Sequence, residues 1–217
     1  MRRGLFVSIE GGEGAGKSVQ AKALAAHLEK RGERVRLVRE PGGTDLGERV
    51  REVLLFDRTL GLAPEAEALL FSAARAQLTV EVVRPSLDEH THVVADRYFD
   101  STLAYQGYGR GARIETLRAV TRFAVGDTVP DLTFLLDLPV DLALARTRER
   151  SKQWDRFEAQ DEGFHTRVRN GYLALAKSEP ARWVVLDGTL SEEQIVRLVT
   201  ARVDQELSRH SNRIPAR

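Results

Sequence analysis

A glycine-rich loop near the N-terminus constrains this chain more than any other stretch. Residues 11–18 read Gly-Gly-Glu-Gly-Ala-Gly-Lys-Ser. They follow an apolar run, residues 5–9, and precede residues 19–31, in which apolar residues recur at helical spacing. Glycines let the backbone turn tightly, so that successive N–H groups and the helix N-terminus point at one phosphate. The pattern predicts a P-loop that binds a nucleoside triphosphate.

Two side chains of this loop carry chemistry. Lys17 can reach the β- and γ-phosphates as a mobile point charge, and the Ser18 hydroxyl can ligate Mg²⁺. A glycine-rich strand–helix turn without a ligand is the alternative. It is disfavoured because all eight positions match between a predicted strand and a predicted helix.

Composition limits the classes of protein that this chain can belong to. Its 217 residues suit one large α/β domain spanning residues 1–217. The absence of cysteine excludes disulfides and thiolate metal sites, and the net charge of +1 gives no bulk attraction to nucleic acid or to anionic membranes. We find no signal peptide and no apolar run of membrane-spanning length, and we therefore expect a cytoplasmic protein.

Apolar runs alternate with amphipathic segments along the whole chain. The predicted strands are residues 5–10, 35–39, 92–96, 132–138 and 183–187. This alternation favours an α/β fold of the P-loop NTPase type, with a five-stranded parallel sheet, helices on both faces and a short lid. Ligands of such sheets bind beyond the carboxyl ends of the strands.

The third predicted strand ends in Asp96-Arg97. An Asp at this point of a P-loop protein holds Mg²⁺ directly or through water. The Arg that follows is unusual for a simple ATPase, and it places a second anion-binding group at the reaction centre. The alternative is an Asp-Arg pair that caps a loop.

Several residues after the second and third predicted strands could bind a second ligand. Phe71 and Arg75 share one face of a helix predicted from about residue 64 towards residue 84, and they could form a stacking surface beside a planar set of donors. A core Phe with a surface Arg is the alternative. Arg51 could equally lie on a solvated helix face, and Tyr105 and Gln106 could be ordinary packing residues.

A basic segment follows the fourth predicted strand. A helix predicted over residues 141–150 runs into five cations: Arg146, Arg148, Arg150, Lys152 and Arg156. A charge run usually marks a solvated helix end. Given the P-loop, we favour a lid over about residues 148–162 that closes arginines onto transferring phosphates. The glycines at 107, 109 and 111 predict a further mobile connection.

Taken together, these motifs resemble those of bacterial thymidylate kinases over nearly the full length of the chain. The matching stretches are residues 10–18, 39–44, 71–75, 96–98, 101–107 and 155–158. The resemblance implies transfer of the ATP γ-phosphoryl group to dTMP, with Mg²⁺ as cofactor, and a homodimer. The P-loop interior, residues 12–15, contains no Arg. The chain is therefore similar to the family type in which the lid supplies the basic residues.

The resemblance also assigns roles to individual residues. The implied catalytic residues are Lys17, Asp96, Arg97, Arg150 and Arg156. The implied ATP-binding residues are Gly11, Gly12, Glu13, Gly14, Ala15, Gly16, Lys17, Ser18 and Arg146. The implied acceptor-binding residues are Glu13, Arg51, Phe71, Arg75, Arg97, Thr102, Tyr105 and Gln106. Ser18 and Asp96 are the implied Mg²⁺ ligands.

Within the acceptor site, the resemblance gives each group its own contact. Phe71 stacks on thymine, Arg75 donates to its O4 carbonyl, and Gln106 and Thr102 bond the base edge around N3. Tyr105 lies against the sugar and disfavours a ribose 2′-hydroxyl. The remaining three residues bind polar groups of the nucleotide: Glu13 the 3′-hydroxyl, and Arg51 and Arg97 the acceptor phosphate.

Two alternatives stay open at this stage. A kinase of another small molecule or nucleotide, such as a purine monophosphate, a uridylate or a deoxyuridylate, would need much of the same machinery. A regulatory GTP switch is disfavoured, because such switches read guanine with Asn-Lys-x-Asp, and the only two Asn residues, Asn170 and Asn212, lie in other contexts.

Overall fold

The computed structural model describes residues 3–57, 59–150 and 154–212, without the side chains at 150 and 210–212. Within these residues the fold is built on a parallel sheet of five strands in the order β2-β3-β1-β4-β5. The strands are β1 Phe6–Gly11, β2 Val35–Arg39, β3 His92–Asp96, β4 Leu132–Asp137 and β5 Trp183–Asp187. The predicted five-stranded parallel sheet is therefore confirmed.

Helices connect the strands. They are α1 Lys17–Lys30, α2 Asp45–Arg51, α3 Pro64–Leu78, α4 Arg84–Asp88, α5 Phe99–Thr102, α6 Ile114–Val125, α7 Val140–Arg150, α8 Glu162–Ser178 and α9 Glu192–Asn212. Three stretches continue α2, α3 and α5 as wider π-helical turns, namely Glu52–Phe56, Thr79–Val83 and Leu103–Gly109. No helix in the described ranges is long and apolar enough to cross a membrane.

The sheet is covered on both faces, as predicted. On one face, Leu24 of α1 and Val199 of α9 pack against the apolar side chains of β1 and β4. On the other, Leu78 of α3, Leu117 of α6 and Tyr172 of α8 are buried against the sheet. Each face thus has its own apolar core, the arrangement expected for parallel strands that are buried on both sides.

The strand order brings two sequence-distant motifs together. The central strand β1 pairs with β3 on one side, with Ile9 opposite Asp96, and with β4 on the other. The chain leaves β1 into the glycine-rich loop and leaves β3 at Arg97. Because parallel neighbours end at the same edge of the sheet, the loop and the Asp96-Arg97 pair lie side by side.

Local side-chain bonds fix where several helices begin. The Thr44 hydroxyl accepts a hydrogen bond from the Gly47 N–H at the start of α2, at 3.0 Å. Before α9, the Ser191 N–H donates to the Gln194 side-chain oxygen at 2.9 Å, and the Gln194 N–H donates to the Ser191 hydroxyl at 3.3 Å. All three hydrogen bonds satisfy N–H groups that have no partner inside the helix, and the reciprocal pair before α9 forms a capping box.

The π-helical segment Leu103–Gly109 packs closely against α8. A Cβ atom at Gly109 would lie 2.7 Å from the Phe164 ring, and one at Gly171 would lie 2.6 Å from Cβ and Cγ of Tyr108. The prediction of a mobile connection is wrong for Gly107 and Gly109, because both residues are buried in this helical segment. Here glycine permits close packing between two helices.

The predicted lid, residues 148–162, is described only in part. Its N-terminal end belongs to α7, which ends at Arg150, and its C-terminal end leads through a turn into α8. Lys152 and the Arg150 side chain lie outside the described residues. The predicted contacts of these two cations therefore stay predictions.

The close contact between α8 and the preceding segment yields a stability prediction. We expect Gly171→Ala to lower the free energy of unfolding by about 1–3 kcal/mol, because the added methyl overpacks the Tyr108 contact. Gly61→Ala is the matched control, since nothing lies within 4 Å of a Cβ at that position. Urea unfolding of both variants measures the difference, and equal stabilities would contradict the packing argument.

Candidate active site

A cleft of about 220 Å³ opens beside the glycine-rich loop and the carboxyl end of β3. Ten of the residues predicted from the sequence line it: Glu13, Lys17, Ser18, Arg51, Phe71, Asp96, Arg97, Thr102, Tyr105 and Gln106. They share the wall with residues to which the sequence analysis assigned no individual role: Arg39, Glu40, Pro41, Leu55, Ser101, Asp155, Phe157 and Glu158. One cleft therefore contains both the nucleotide-loop residues and most of the predicted acceptor residues.

The glycine-rich loop has the backbone that its sequence predicts. Gly14 has φ of 70°, and a Cβ there would lie 2.5 Å from the Ala143 carbonyl oxygen. Gly16 has φ of 87° and precedes α1. The Lys17 ammonium donates to the Gly12 carbonyl at 2.6 Å, so the lysine folds back over its own loop. These conformations favour glycine, and a glycine loop that opens a helix is suited to bind an anion.

Ser18 and Asp96 form a pair of hard oxygen donors at the base of the cleft. The Ser18 hydroxyl donates to the Asp96 carboxylate. In the described part of the chain, no group of three or more His, Asp or Glu side chains could hold a metal ion alone. A hydroxyl and one carboxylate suit Mg²⁺, which keeps several waters and takes further ligands from substrate phosphates.

Arg97 connects the loop to the Leu103–Gly109 segment across the cleft. Its φ of 71° is uncommon for a residue with a side chain, and such backbone strain concentrates at functional sites. One terminal nitrogen donates to the Gly11 carbonyl at 3.0 Å. The other donates to Glu13 at 2.7 Å and to the Tyr105 hydroxyl at 3.0 Å. The guanidinium is therefore held between β1, the loop and the Leu103–Gly109 segment.

A buried carboxylate, Glu10, fixes the side chains of Ser101 and Tyr172, which contact Arg97. It accepts hydrogen bonds from the Tyr98 N–H and the Ser101 hydroxyl, both at 2.7 Å, and from the Tyr172 hydroxyl at 3.0 Å. Burial, with a contribution from Asp100, raises the pKa of Glu10 to about 7. Sequence analysis missed this network, because Tyr172 is 162 positions from Glu10 and stands in no recognisable motif.

The charges of the cleft shift one another's pKa values. Burial alone raises the pKa of Glu13, but Arg97 and Lys17 outweigh it and lower the pKa to about 2. Burial, reinforced by the positive charge of Arg97, lowers the pKa of Lys17 to about 8. Glu13 is therefore ionised at neutral pH, whereas Lys17 loses its charge under mildly alkaline conditions.

The wall of the cleft that faces the glycine-rich loop has an aromatic surface and two polar groups that are available to bind a ligand. The Phe71 and Phe157 ring centroids are 5.7 Å apart. The Thr102 hydroxyl is buried without a hydrogen-bond partner. The Gln106 amide nitrogen donates to Glu67 at 2.8 Å, which makes its amide oxygen the natural acceptor for a donor on a bound ring. Such a wall suits a planar heterocycle with polar edges.

Arg75 does not line the cleft itself. It is 1% exposed, and its Nε and one terminal nitrogen each lie 2.7 Å from the Glu40 carboxylate, which does line the cleft. Its other terminal nitrogen, Nη1, is buried without a partner. A ligand carbonyl is one group that could satisfy this orphan donor.

The other predicted arginines lie in three different places. Arg51 lines the cleft and donates to the Pro41 carbonyl at 3.0 Å. Arg146 is exposed and donates to the Gly188 carbonyl at 3.2 Å, after β5. Arg156 donates to backbone carbonyls of the α2–α3 connection and is not among the residues that line the cleft. The structure therefore brings Arg51, but neither Arg146 nor Arg156, to the cleft wall.

The lowered pKa of Lys17 predicts a pH dependence of nucleotide binding. Raising the pH through about 8 removes its positive charge, so affinity for an anionic triphosphate should fall. If binding requires the protonated amine, we expect the ATP dissociation constant to rise by roughly tenfold between pH 7 and pH 9. Isothermal titration calorimetry measures this change.

Two variants show whether Lys17 is the source of this dependence. Lys17→Met should bind ATP weakly, without a step near pH 8. Lys22→Met, which removes an exposed lysine of the same helix, should keep the step. A pH-independent dissociation constant in the unmodified protein would contradict the assignment.

Comparison with known proteins shows the family to which this chain belongs. The family model described as thymidylate kinase matches residues 9–199. The chain is 48% identical to thymidylate kinase of Thermomicrobium roseum, with 94% of this chain and 96% of that protein covered. It is 49% identical to the Deinococcus radiodurans enzyme, with 94% and 98% covered.

A solved structure gives the same result for the fold. The crystal structure of thymidylate kinase from Ehrlichia chaffeensis superposes with a TM-score of 0.74 at 33% identity, covering 93% of this chain and 98% of that one. The range matched by the family model includes the glycine-rich loop, the Asp96-Arg97 pair and the wall that carries Phe71 and Phe157. The chain therefore belongs to the thymidylate kinase family, whose members phosphorylate dTMP to dTDP with ATP as the phosphate donor.

Proposed function

We propose that the cleft is the acceptor site in which this chain phosphorylates dTMP, within one kinase domain of residues 1–217. One observation carries the proposal above all: a single cleft joins the glycine-rich loop to an aromatic wall and three arginines, Arg39, Arg51 and Arg97. A phosphate-binding loop alone would suit any nucleotide hydrolase. The second wall provides room for a planar base beside a site for an anionic phosphate.

On the donor side, the loop would hold the ATP phosphates through its backbone N–H groups and Lys17. Ser18 and Asp96 would hold Mg²⁺, which supplies charge neutralisation at the β- and γ-phosphates. Arg146 would contact ATP from the side of α7. The hydroxyl–carboxylate pair is the feature of this structure that supports a magnesium site.

On the acceptor side, Arg51 and Arg97 would hold the dTMP phosphate in line with the γ-phosphoryl group. An acceptor phosphate is already anionic, so no general base is required. Positioning and charge stabilisation by Lys17, Arg97 and the lid residue Arg150 would then lower most of the barrier. Water would be kept out when the lid closes over the transferring group.

The base and sugar contacts follow from the uncommitted groups of the wall. Phe71 would stack on thymine, while the Thr102 hydroxyl and the Gln106 amide oxygen would bond the base edge around N3. The partnerless Nη1 of Arg75 would donate to the O4 carbonyl. Glu13 is ionised at neutral pH and can accept a hydrogen bond from a hydroxyl group. It would accept one from the sugar 3′-hydroxyl, next to the Tyr105 hydroxyl that already donates to it.

The Thr102 assignment gives a direct test. We expect Thr102→Val to raise the KM for dTMP by about two- to tenfold, the cost of one lost hydrogen bond. The KM for ATP should stay unchanged. Thr121→Val is the matched control, because the Thr121 hydroxyl is also buried without a partner but lies on α6, away from the cleft.

Steady-state kinetics of both variants, with dTMP, dUMP, UMP, CMP, AMP and GMP as acceptors, completes the experiment. The proposal expects dTMP to be the preferred acceptor of the unmodified protein. Equal effects of the two Thr substitutions, or efficient phosphorylation of purine monophosphates, would remove the assignment of this wall to thymine.

We also infer that the chain forms a homodimer through α3 and α6. Neighbouring faces of these packed helices expose apolar side chains: Leu69 is 57% exposed, Val80 58% and Phe123 94%. Leu69 and Val80 lie on one stripe of α3 and its π-helical continuation. Apolar side chains exposed together on one surface are typical of an interface.

Charge substitution at this surface tests the dimer. We expect Phe123→Glu to shift the molar mass measured by light scattering from dimer towards monomer. Leu198→Glu is the control, because Leu198 is an exposed apolar residue of α9, on the other face of the sheet. A monomeric unmodified protein, or a dimer that Phe123→Glu leaves intact, would contradict the assignment.

A further inference from the structure

Arg156 is bonded to backbone, although its sequence context predicts a catalytic lid residue. Its Nε donates to the Leu54 carbonyl at 3.0 Å, and Nη1 donates to the Leu60 carbonyl at 3.0 Å. Its Nη2 donates to the Asp57 carbonyl. The main-chain N–H of Arg156 donates to the Leu55 carbonyl at 3.1 Å. Every nitrogen of the guanidinium therefore has a backbone partner in one short segment.

The position of these carbonyls explains why an arginine suits the site. They lie at or just beyond the end of the helical run that begins with α2 and continues through Glu52–Phe56. The last carbonyls of a helix lack N–H partners within it and carry partial negative charge. A planar guanidinium spreads five N–H donors over three nitrogens and can reach several separate carbonyls, whereas a lysine carries its three donors on one atom.

The segment that Arg156 bonds forms one wall of the cleft. Arg51, immediately before the π-helical turn, and Leu55 within it both line the cleft. The next residue after Arg156, Phe157, lines the opposite wall and contacts Phe71. The bonds of Arg156 therefore join the wall that carries the acceptor-phosphate arginine to the wall that carries the stacking surface.

The turn around Arg156 is itself well fixed. The Asp155 carboxylate accepts hydrogen bonds from the N–H groups of Phe157 and Glu158, both at 2.8 Å. The Glu158 carboxylate in turn accepts from the Asp155 N–H at 3.0 Å. Because this turn is the C-terminal end of the lid region, its position determines where the lid is anchored.

We propose that Arg156 is a positioning residue for the acceptor nucleotide. It holds the end of the α2 helical run, and with it Arg51, against the turn that carries Phe157. Its three backbone hydrogen bonds hold the guanidinium against that run, and Arg156 is not among the residues that line the cleft. The inference rests on the proposed function, because it takes the cleft to be the dTMP site.

Kinetics of Arg156→Met and Arg156→Lys separate positioning from catalysis. For Arg156→Met we expect the KM for dTMP to rise about tenfold or more, as uniform binding of substrate and transition state is lost. The single-turnover transfer rate at saturating ATP and dTMP should change less than about threefold. Arg156→Lys keeps the charge but not the planar set of donors, and it should raise the same KM.

Hydrogen exchange gives an independent readout. Amides of residues 52–57 should exchange faster in Arg156→Met without nucleotide, while those of α9 should not change. Arg197→Met, which removes an exposed α9 arginine, is the control for loss of one cation and should leave both kinetics and exchange unaltered.

The overturning results are distinct from those that would remove the proposed function. A hundredfold loss of transfer rate with an unchanged KM for dTMP would make Arg156 a catalytic residue and overturn the proposal. Unchanged kinetics in both Arg156 variants would overturn it as well. If Arg156→Met does not fold, Arg156→Lys decides between these outcomes. Arg51→Met, measured alongside, tests the acceptor site itself: an unchanged KM for dTMP there would remove the proposed function whatever Arg156 does.

Discussion

The structure depends on the need to pair one buried cation. Arg97 is held among Gly11 of β1, Glu13 of the loop, Tyr105 of the π-helical segment and Tyr172 of α8. A buried charge costs several kcal/mol unless its hydrogen bonds are satisfied. These four elements therefore have to assemble around the same guanidinium. The strained backbone at Arg97 is tolerated because so many partners determine its position.

The same pairing allows a carboxylate to stay charged next to the phosphate-binding loop. Glu13 stays ionised inside a loop built for anions, because Arg97 and Lys17 neutralise it. In the proposed site, Arg97 would keep its ion pair with Glu13 while it faces the acceptor phosphate. A second buried carboxyl, that of Glu10, has a pKa raised to about 7 by burial.

The sequence predicts the sheet well because its central strands, β1, β3 and β4, are mostly apolar and buried. Three predicted strands, at β2, β3 and β5, agree with the structure at both ends. Ser18 and Asp96, which were predicted from local motifs, line the cleft. The contacts of Glu10 with Tyr172 and of Arg156 with Leu54 could not be predicted. The Glu10–Tyr172 contact joins positions far apart in the sequence. The Arg156 contact ends on the backbone carbonyl of Leu54, and because every residue has such a carbonyl, the sequence does not mark the partner.

The wide helical turn at Leu103–Gly109 has a consequence for how this chain can change. The Arg110 N–H donates to the carbonyl of Tyr105, five residues earlier, at 2.9 Å, where an α-helix spans four. Loss of one residue would restore the α-helical spacing and rotate everything beyond it by about 100°. Gly109 would then leave its place against Phe164. Substitutions along this stretch can therefore leave its packing against α8 in place, whereas the insertion or deletion of a single residue would displace it.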